Sequence, residues 1–304
     1  GGLGRICPAG SPVRRPRRGW CLMDPDQRPA GAFSDPDLKK RVASALVLIP
    51  VAIFTAWLGD WPFALLWLCG SALVLWEWNR LVLPTAPPAL FAGEVVALTA
   101  ALALERYFLN PGFAMIALGA GAGLALALSP QGRSRWAIAG LLYAAAVVLG
   151  PTILRDDNAL GFVAILWLFA VVWGTDVAAY FAGRSIGGPK LWPRLSPKKT
   201  WSGFIGGTLA GTAIALVVVR LAGIAPSLGL ALATWVIAAL SQGGDLFESS
   251  VKRRFAAKDA GSIIPGHGGV MDRLDGFLVA AVAAAAIGLM RGGVANPAAG
   301  LLVW

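Results

Sequence analysis

Nine predominantly apolar runs, each close to twenty residues long, leave few folds open to this chain. They lie near residues 42–59, 62–78, 88–105, 112–128, 136–154, 159–180, 203–222, 227–246 and 276–291. About twenty such residues in a helix cross the hydrocarbon core of a bilayer. The runs are continuous rather than alternating, which argues against a β-barrel. Composition agrees. The chain is 57% hydrophobic and only 14% charged, whereas soluble domains carry about 25% charged residues. So few charges cannot cover a water-facing surface, and so apolar a chain does not stay disordered. The expected fold class is an all-α polytopic integral membrane protein with about nine transmembrane helices.

The loops between these runs alternate in charge. One set carries sixteen Lys and Arg, among them Lys39, Arg80, Arg133, Lys190 and Lys252; the other carries only Arg106, Arg155, Arg220 and Arg291. Basic loops stay on the cytoplasmic side. That places the N-terminus inside, the C-terminus outside, and the two long loops 181–202 and 247–275 in the cytoplasm. The expected location is the cell (inner) membrane. The formal charge of +10 then reads as a topology signal and a polyphosphate site, not as an affinity for nucleic acid.

Residues 1–37 form an N-terminal segment expected to be disordered. Residues 1–22 precede the first methionine, Met23, and hold Arg14, Arg15, Arg17 and Arg18 among Pro and Gly. They read as an upstream extension foreign to the native chain, in preference to a basic arm for anionic lipid. The transmembrane domain is expected over 38–292. A tail comes after it over 293–304, with Leu301–Trp304 as an interfacial anchor. Cys7, Cys21 and Cys69 show no metal or disulfide spacing, and a single histidine, His267, excludes a multi-His metal cage within one chain.

The polar chemistry is concentrated in the two long loops. At the end of the eighth run, Asp245, Glu248, Ser249, Lys252 and Arg253 fall at i, i+3, i+4, i+7 and i+8, one stripe of a helix. A solvated helix end with i,i+4 ion pairs is the plain alternative. It does not account for the adjoining segment. There Pro265-Gly-His-Gly-Gly269 has glycines that permit close backbone approach to a ligand, and Asp272 and Asp275 flank Arg273. In the other loop, Asp176 sits inside an apolar run, where a charge costs about 2.5–3.5 kcal/mol on insertion scales, so it should face the bundle interior and a partner. Ser196-Pro-Lys-Lys-Thr200 then leads into a Gly-rich helix start, the kind of place that binds phosphate. Carboxylates for a hard cation, cations for phosphate and glycines for close approach point to metal-assisted phosphoryl or nucleotidyl chemistry at the cytoplasmic membrane face.

The stretch Ser249 to Asp275 resembles the signature of the phosphatidate cytidylyltransferase (CDP-diacylglycerol synthase) family. Ser249, Lys252, Arg253, Lys258, Asp259, Pro265, His267, Gly268, Gly269, Asp272, Arg273 and Asp275 all fall in its pattern. The segment Asp176 to Gly207 is also similar, and the likeness covers about residues 38–292. One departure is Ser202, where many relatives have Glu; any acid role would rest instead on Asp176, Asp245 and Asp272.

The resemblance implies that CTP and phosphatidate give CDP-diacylglycerol and pyrophosphate in phospholipid biosynthesis, with Mg²⁺ and a possible second cation, in a homodimer. Asp245 and Asp272 are assigned as metal ligands and catalytic groups, with Lys252 and Arg253 holding phosphate. Ser249 would orient it, and Lys198, Lys199 and Arg273 are further substrate-binding candidates. His267 would either bond a phosphate or fix the Gly turn, and Asp275 would support Arg273. The rivals are a polytopic transporter of a phosphorylated solute and another lipid phosphotransferase. The first predicts paired inverted halves, which the sequence lacks. An alcohol phosphatidyltransferase would carry an Asp-Gly-x-x-Ala-Arg helix, also absent.

Overall fold

In the computed structural model, which describes residues 36–257, 259–261, 263 and 268–304, the chain is helical almost throughout. Among the described residues, nine long helices occupy the nine apolar runs: α1 (Pro36–Leu58), α2 (Asp60–Val82), α3 (Pro88–Phe108), α4 (Pro111–Leu128), α5 (Ser134–Arg155), α6 (Gly161–Ser185), α7 (Trp201–Leu221), α8 (Leu228–Arg254) and α9 (Met271–Gly292). Eight of them, α2 to α9, are long and apolar enough to cross a membrane; in α1 the described apolar stretch is Leu46–Leu58. The N-terminal segment up to residue 35 lies outside the described residues, and with it the expectations for residues 1–22.

The all-α expectation holds with one small exception. Loop 181–202 folds into an antiparallel hairpin of β1 (Lys190–Trp192) and β2 (Ser196–Thr200), pairing Lys190 with Thr200 and Trp192 with Ser196. The tail also differs from its expectation. It forms a short helix α10 (Pro297–Leu302) in which Leu301 and Leu302 are buried against the protein, so they do not anchor it in lipid. Val303 and Trp304 stay half exposed, the Trp304 ring beneath the Arg291 guanidinium at 3.7 Å.

Helix packing depends on residue size. Between bilayer helices, small side chains let backbones approach, and α6 and α7 use this most. A methyl group added at Gly211 would lie 2.1 Å from Thr175 Oγ1, and one at Gly203 would lie 2.9 Å from the Ala179 carbonyl oxygen. Helix α5 is central, with two-thirds of its span buried (67%) against 28% for α4 and α7. Trp78 of α2 packs on it at Gly140 and Tyr143, and Trp67 stacks on Phe277 at 4.6 Å.

Polar contacts gather at the two ends of the bundle. At one end Arg106 bridges Asp156, at 2.8 and 3.0 Å, and Asp60. There too Arg155 caps α1 by donating to the carbonyls of Ala56 (2.5 Å) and Trp57 (3.2 Å). The α1–α2 turn can pass this guanidinium only through Gly59, whose φ is +68°. The other end, where the charge-rich loops lie, holds a cluster of carboxylates and lysines.

Candidate active site

Helix α8 does not stop where its apolar run stops. It continues to Arg254, and α9 begins at Met271, five residues before its apolar run. Both helices therefore carry polar turns beyond their apolar runs, and these turns face each other. Their approach depends on two glycines. A methyl at Gly244 would lie 2.4 Å from the Asp275 carbonyl oxygen; one at Gly276 would lie 2.9 Å from the Ser241 carbonyl and 3.2 Å from Asp245 Oδ1.

This contact assembles the predicted acids and cations. Lys252 Nζ donates to Asp272 Oδ1 at 2.5 Å and pairs with Glu248 Oε2, one turn back on α8, at 3.2 Å. The other oxygen of Asp272 accepts from the backbone N–H of Gly269 (3.0 Å) and Ala260 (3.1 Å), so it holds both limbs of the preceding loop. Lys199, from the hairpin, donates to Asp245 Oδ2 at 2.5 Å. Asp275 lies among these groups, with Asp245 and Glu248 as its neighbouring carboxylates. The two ion pairs differ in access. Side-chain exposure is 11% and 12% for Asp272 and Lys252, but 25% and 27% for Asp245 and Lys199.

The more open pair borders a cavity of about 440 Å³ between α6, the hairpin, α7 and α8. Asp176, Arg184, Lys198, Thr200 and Gln242 also line it. Thr200 caps α7 by accepting from the N–H of Gly203 at 3.1 Å, which leaves a helix N-terminus beside two lysines. Gln242 ties α8 to α7, donating to Thr208 Oγ1 (2.8 Å) and the Phe204 carbonyl (3.1 Å). Asp176 is exposed and lines this cavity, with Asp245, Lys199 and Arg273 as its charged neighbours. Ser202 does not substitute for an acid; its hydroxyl donates to the Gly187 carbonyl and bonds Thr200 Oγ1 at 3.0 Å, bracing the hairpin.

The predicted residues divide accordingly. Asp245, Asp272, Lys252 and Lys199 are brought together, Lys198 stands exposed on the cavity, and Ser249 is half-buried on the α8 stripe. Arg253 is exposed at the stripe's edge and donates to the Ala257 carbonyl at 3.5 Å. Arg273 is exposed at the start of α9. His267, Lys258 and Pro265 lie outside the described residues. Two acids went unassigned in sequence: Glu248, 2% exposed and tied to Lys252, and Glu77 on α2, wholly buried and bonded to the backbone at the start of α9. The available signal for Glu77 was an isolated carboxylate within a transmembrane run, a functional marker by default.

Chemically, the site offers hard carboxylate oxygens next to ammonium groups, at a cavity with a helix N-terminus in its wall. Among the described residues no three acidic, His or Cys side chains converge as a metal cage. One or two carboxylates completed by substrate phosphates and water are what Mg²⁺ ordinarily takes; Asp245 and Asp272 are carboxylates of that type, each held by a lysine.

Residues 39–290 match the model of the Cytidylyltransferase family. The chain is similar to a protein of Brucella suis biovar 1 (strain 1330) named phosphatidate cytidylyltransferase, 42% identical over 251 residues that cover 81% of this chain and 91% of the relative. A phosphatidate cytidylyltransferase of Bacillus subtilis (strain 168) is 30% identical over 253 residues, covering 80% and 94%. One from Staphylococcus saprophyticus is 42% identical over 139 residues, covering 45% and 54%.

Proposed function

The chain belongs to the cytidylyltransferase family, and from that premise we propose that it is a phosphatidate cytidylyltransferase, converting CTP and phosphatidate to CDP-diacylglycerol and pyrophosphate. The observation that carries the reading is the pair of aspartates on facing helices. Each is clasped by a lysine, Asp245 by Lys199 and Asp272 by Lys252, where apolar spans meet polar loops. A lipid substrate and a water-soluble nucleotide can meet only at such a boundary.

The phosphatidate phosphomonoester is largely dianionic near neutral pH and is itself the nucleophile. Its oxygen attacks the α-phosphorus of CTP, the bond to the β-phosphate oxygen breaks, and pyrophosphate leaves. No strong general base is required, so the lone histidine need not act as one. The barrier is repulsion between two polyanions, and Lys198, Lys199, Lys252 and Arg273 lower it by facing phosphoryl oxygens. The α7 N-terminus beside Lys198 and Lys199 adds backbone N–H groups oriented toward anionic oxygens. Asp245 and Asp272 would hold Mg²⁺, which supplies Lewis-acid charge to the phosphoryl oxygens when bound. Ser249 orients a phosphate from the half-buried face of α8, and Arg253, at the exposed edge of that face, meets phosphate from the solvent side.

The Lys/Arg bias of the loops supports a cytoplasmic position for this end of the bundle and for the N-terminus, with the helices in the inner membrane. The homodimer is carried over from the family resemblance. The deciding experiment supplies membranes carrying the protein with phosphatidate, labelled CTP and Mg²⁺. Lipid-bound CMP that depends on phosphatidate is expected; its absence overturns the reading.

A further inference from the structure

The loop between α8 and α9 carries the glycine-rich turn and delivers Asp272, yet nothing within α9 caps its start. Val270 occupies the N-cap position without a side-chain cap. The first N–H groups of a helix lack intrahelical partners and need acceptors from elsewhere. Here they come from another helix. Glu77, on α2 and fully buried, accepts from Val270 N–H through Oε1 at 3.1 Å and from Met271 N–H through Oε2 at 2.8 Å. A carboxylate at this end also complements the helix dipole.

The same carboxylate explains two glycines. A methyl at Gly261 would lie 2.3 Å from Glu77 Oε1, and one at Gly269 would lie 2.7 Å from Oε2. Both limbs of the loop therefore close over Glu77 only because they lack side chains there. Gly269 is shared: its N–H bonds Asp272, and its Cα rests against Glu77. The loop backbone is thus pinned between Glu77 on one side and Asp272 on the other.

We propose that Glu77 is the positioning residue of the site, fixing the backbone at 269–271 and through it the orientation of the Asp272 carboxylate toward Lys252 and bound cation. This rests on the assignment of Asp272 to the cytidylyltransferase centre. Groups that orient a metal ligand without touching the metal typically set affinity or activity by about 10- to 100-fold.

The test compares Glu77→Gln with wild type and with Glu94→Gln, another fully buried acid, bonded to Asn79 at 2.7 Å and to no loop N–H among the described residues. Glutamine keeps the volume of Glu77 but turns one acceptor into a donor that faces an N–H. Hydrogen exchange of the purified full chain, without nucleotide or metal, is expected to accelerate in Glu77→Gln for the peptide containing 268–271 and to leave α5 peptides unchanged. In membranes, the Mg²⁺ concentration giving half-maximal turnover is expected to rise by about 10- to 100-fold, with the KM for CTP moving less. Glu94→Gln is expected to shift neither. Wild-type exchange and wild-type Mg²⁺ dependence in Glu77→Gln would overturn the proposal. So would acceleration spread over every helix, the mark of a merely structural role. A wild-type chain without cytidylyltransferase activity would defeat the functional reading while leaving the exchange result to judge Glu77 on its own.

Discussion

The contact between α8 and α9 at Gly244 makes a sharp prediction, because the residue beside it is its own control. In Gly244→Ala the new methyl would sit 2.4 Å from the Asp275 carbonyl oxygen and 3.0 Å from the Asp275 carbonyl carbon. Ordinary contact begins at 3.4 Å, and the obstacle is backbone within a helix, which cannot rotate away. The helices must part by roughly 1 Å, an overpacking that costs about 1–3 kcal/mol of stability. The larger effect falls on the reaction. Separation by that amount moves Asp245 away from the first turn of α9, and a 1 Å misplacement in an active site costs ~10²-fold in rate. Gly243→Ala meets nothing within 4 Å, and alanine favours the helix by up to about 1 kcal/mol, so this variant should match or slightly exceed wild type. The assay is CDP-diacylglycerol formed per unit of monodisperse protein, with thermal unfolding measured in parallel. Gly244→Ala turning over at the wild-type rate, or both variants failing equally, would refute the reasoning.

The charged groups carry further expectations. Asp245→Asn and Asp272→Asn should each lose ~10²–10³-fold in kcat, the scale of removing one preorganised electrostatic group. Both should still insert, as judged by membrane yield; near-normal activity at saturating Mg²⁺ would contradict the assignment. Lys252→Ala leaves Asp272 and the buried Glu248 without their ammonium, and stranding such partners costs about 3–5 kcal/mol. Lower thermal stability and a raised KM are expected, and unchanged KM values for both substrates would remove Lys252 from phosphate binding. Chelation of divalent cations should stop turnover and Mg²⁺ should restore it; activity that survives chelation would exclude the metal role of the two aspartates.

Periodicity and run length made part of the structure legible in sequence. Long apolar runs mark nine helices, because lipid demands continuous apolar surface over a fixed thickness. The acids and cations of α8 are legible as one stripe because 3.6 residues per turn bring 245, 248, 249 and 252 to one face. At the same pitch Arg253 has drifted about 80° from Asp245, which is why it lies at the exposed edge. The cross-element partners are hidden. Nothing near Asp245 in sequence names Lys199, and Lys252 cannot be assigned to Asp272 until α8 is known to reach Arg254. Apolar runs alone underestimate polar helix turns; the late end of α8 is legible only through the polar stripe from Asp245 to Arg253, and the early start of α9 only through Asp272 and Asp275. The partners of Glu77 are least legible of all, since they are backbone N–H groups, which every residue except proline carries.

The bond from α2 to α9 has a bearing on how the protein is made. Its acceptor, Glu77, and its donors, Val270 and Met271, lie 193 and 194 positions apart. Chains emerge from the ribosome N-terminus first, so α2 enters the bilayer while most of the sequence is still unwritten. An acidic side chain within an apolar segment makes insertion about 2.5–3.5 kcal/mol harder at the helix centre. Glu77 lies in the last two turns of α2, close enough to the interface to borrow hydration while it waits. Arrival of the last long helix ends that wait. A chain that stops before α9 therefore leaves Glu77 without the two backbone donors that hold it in the finished fold.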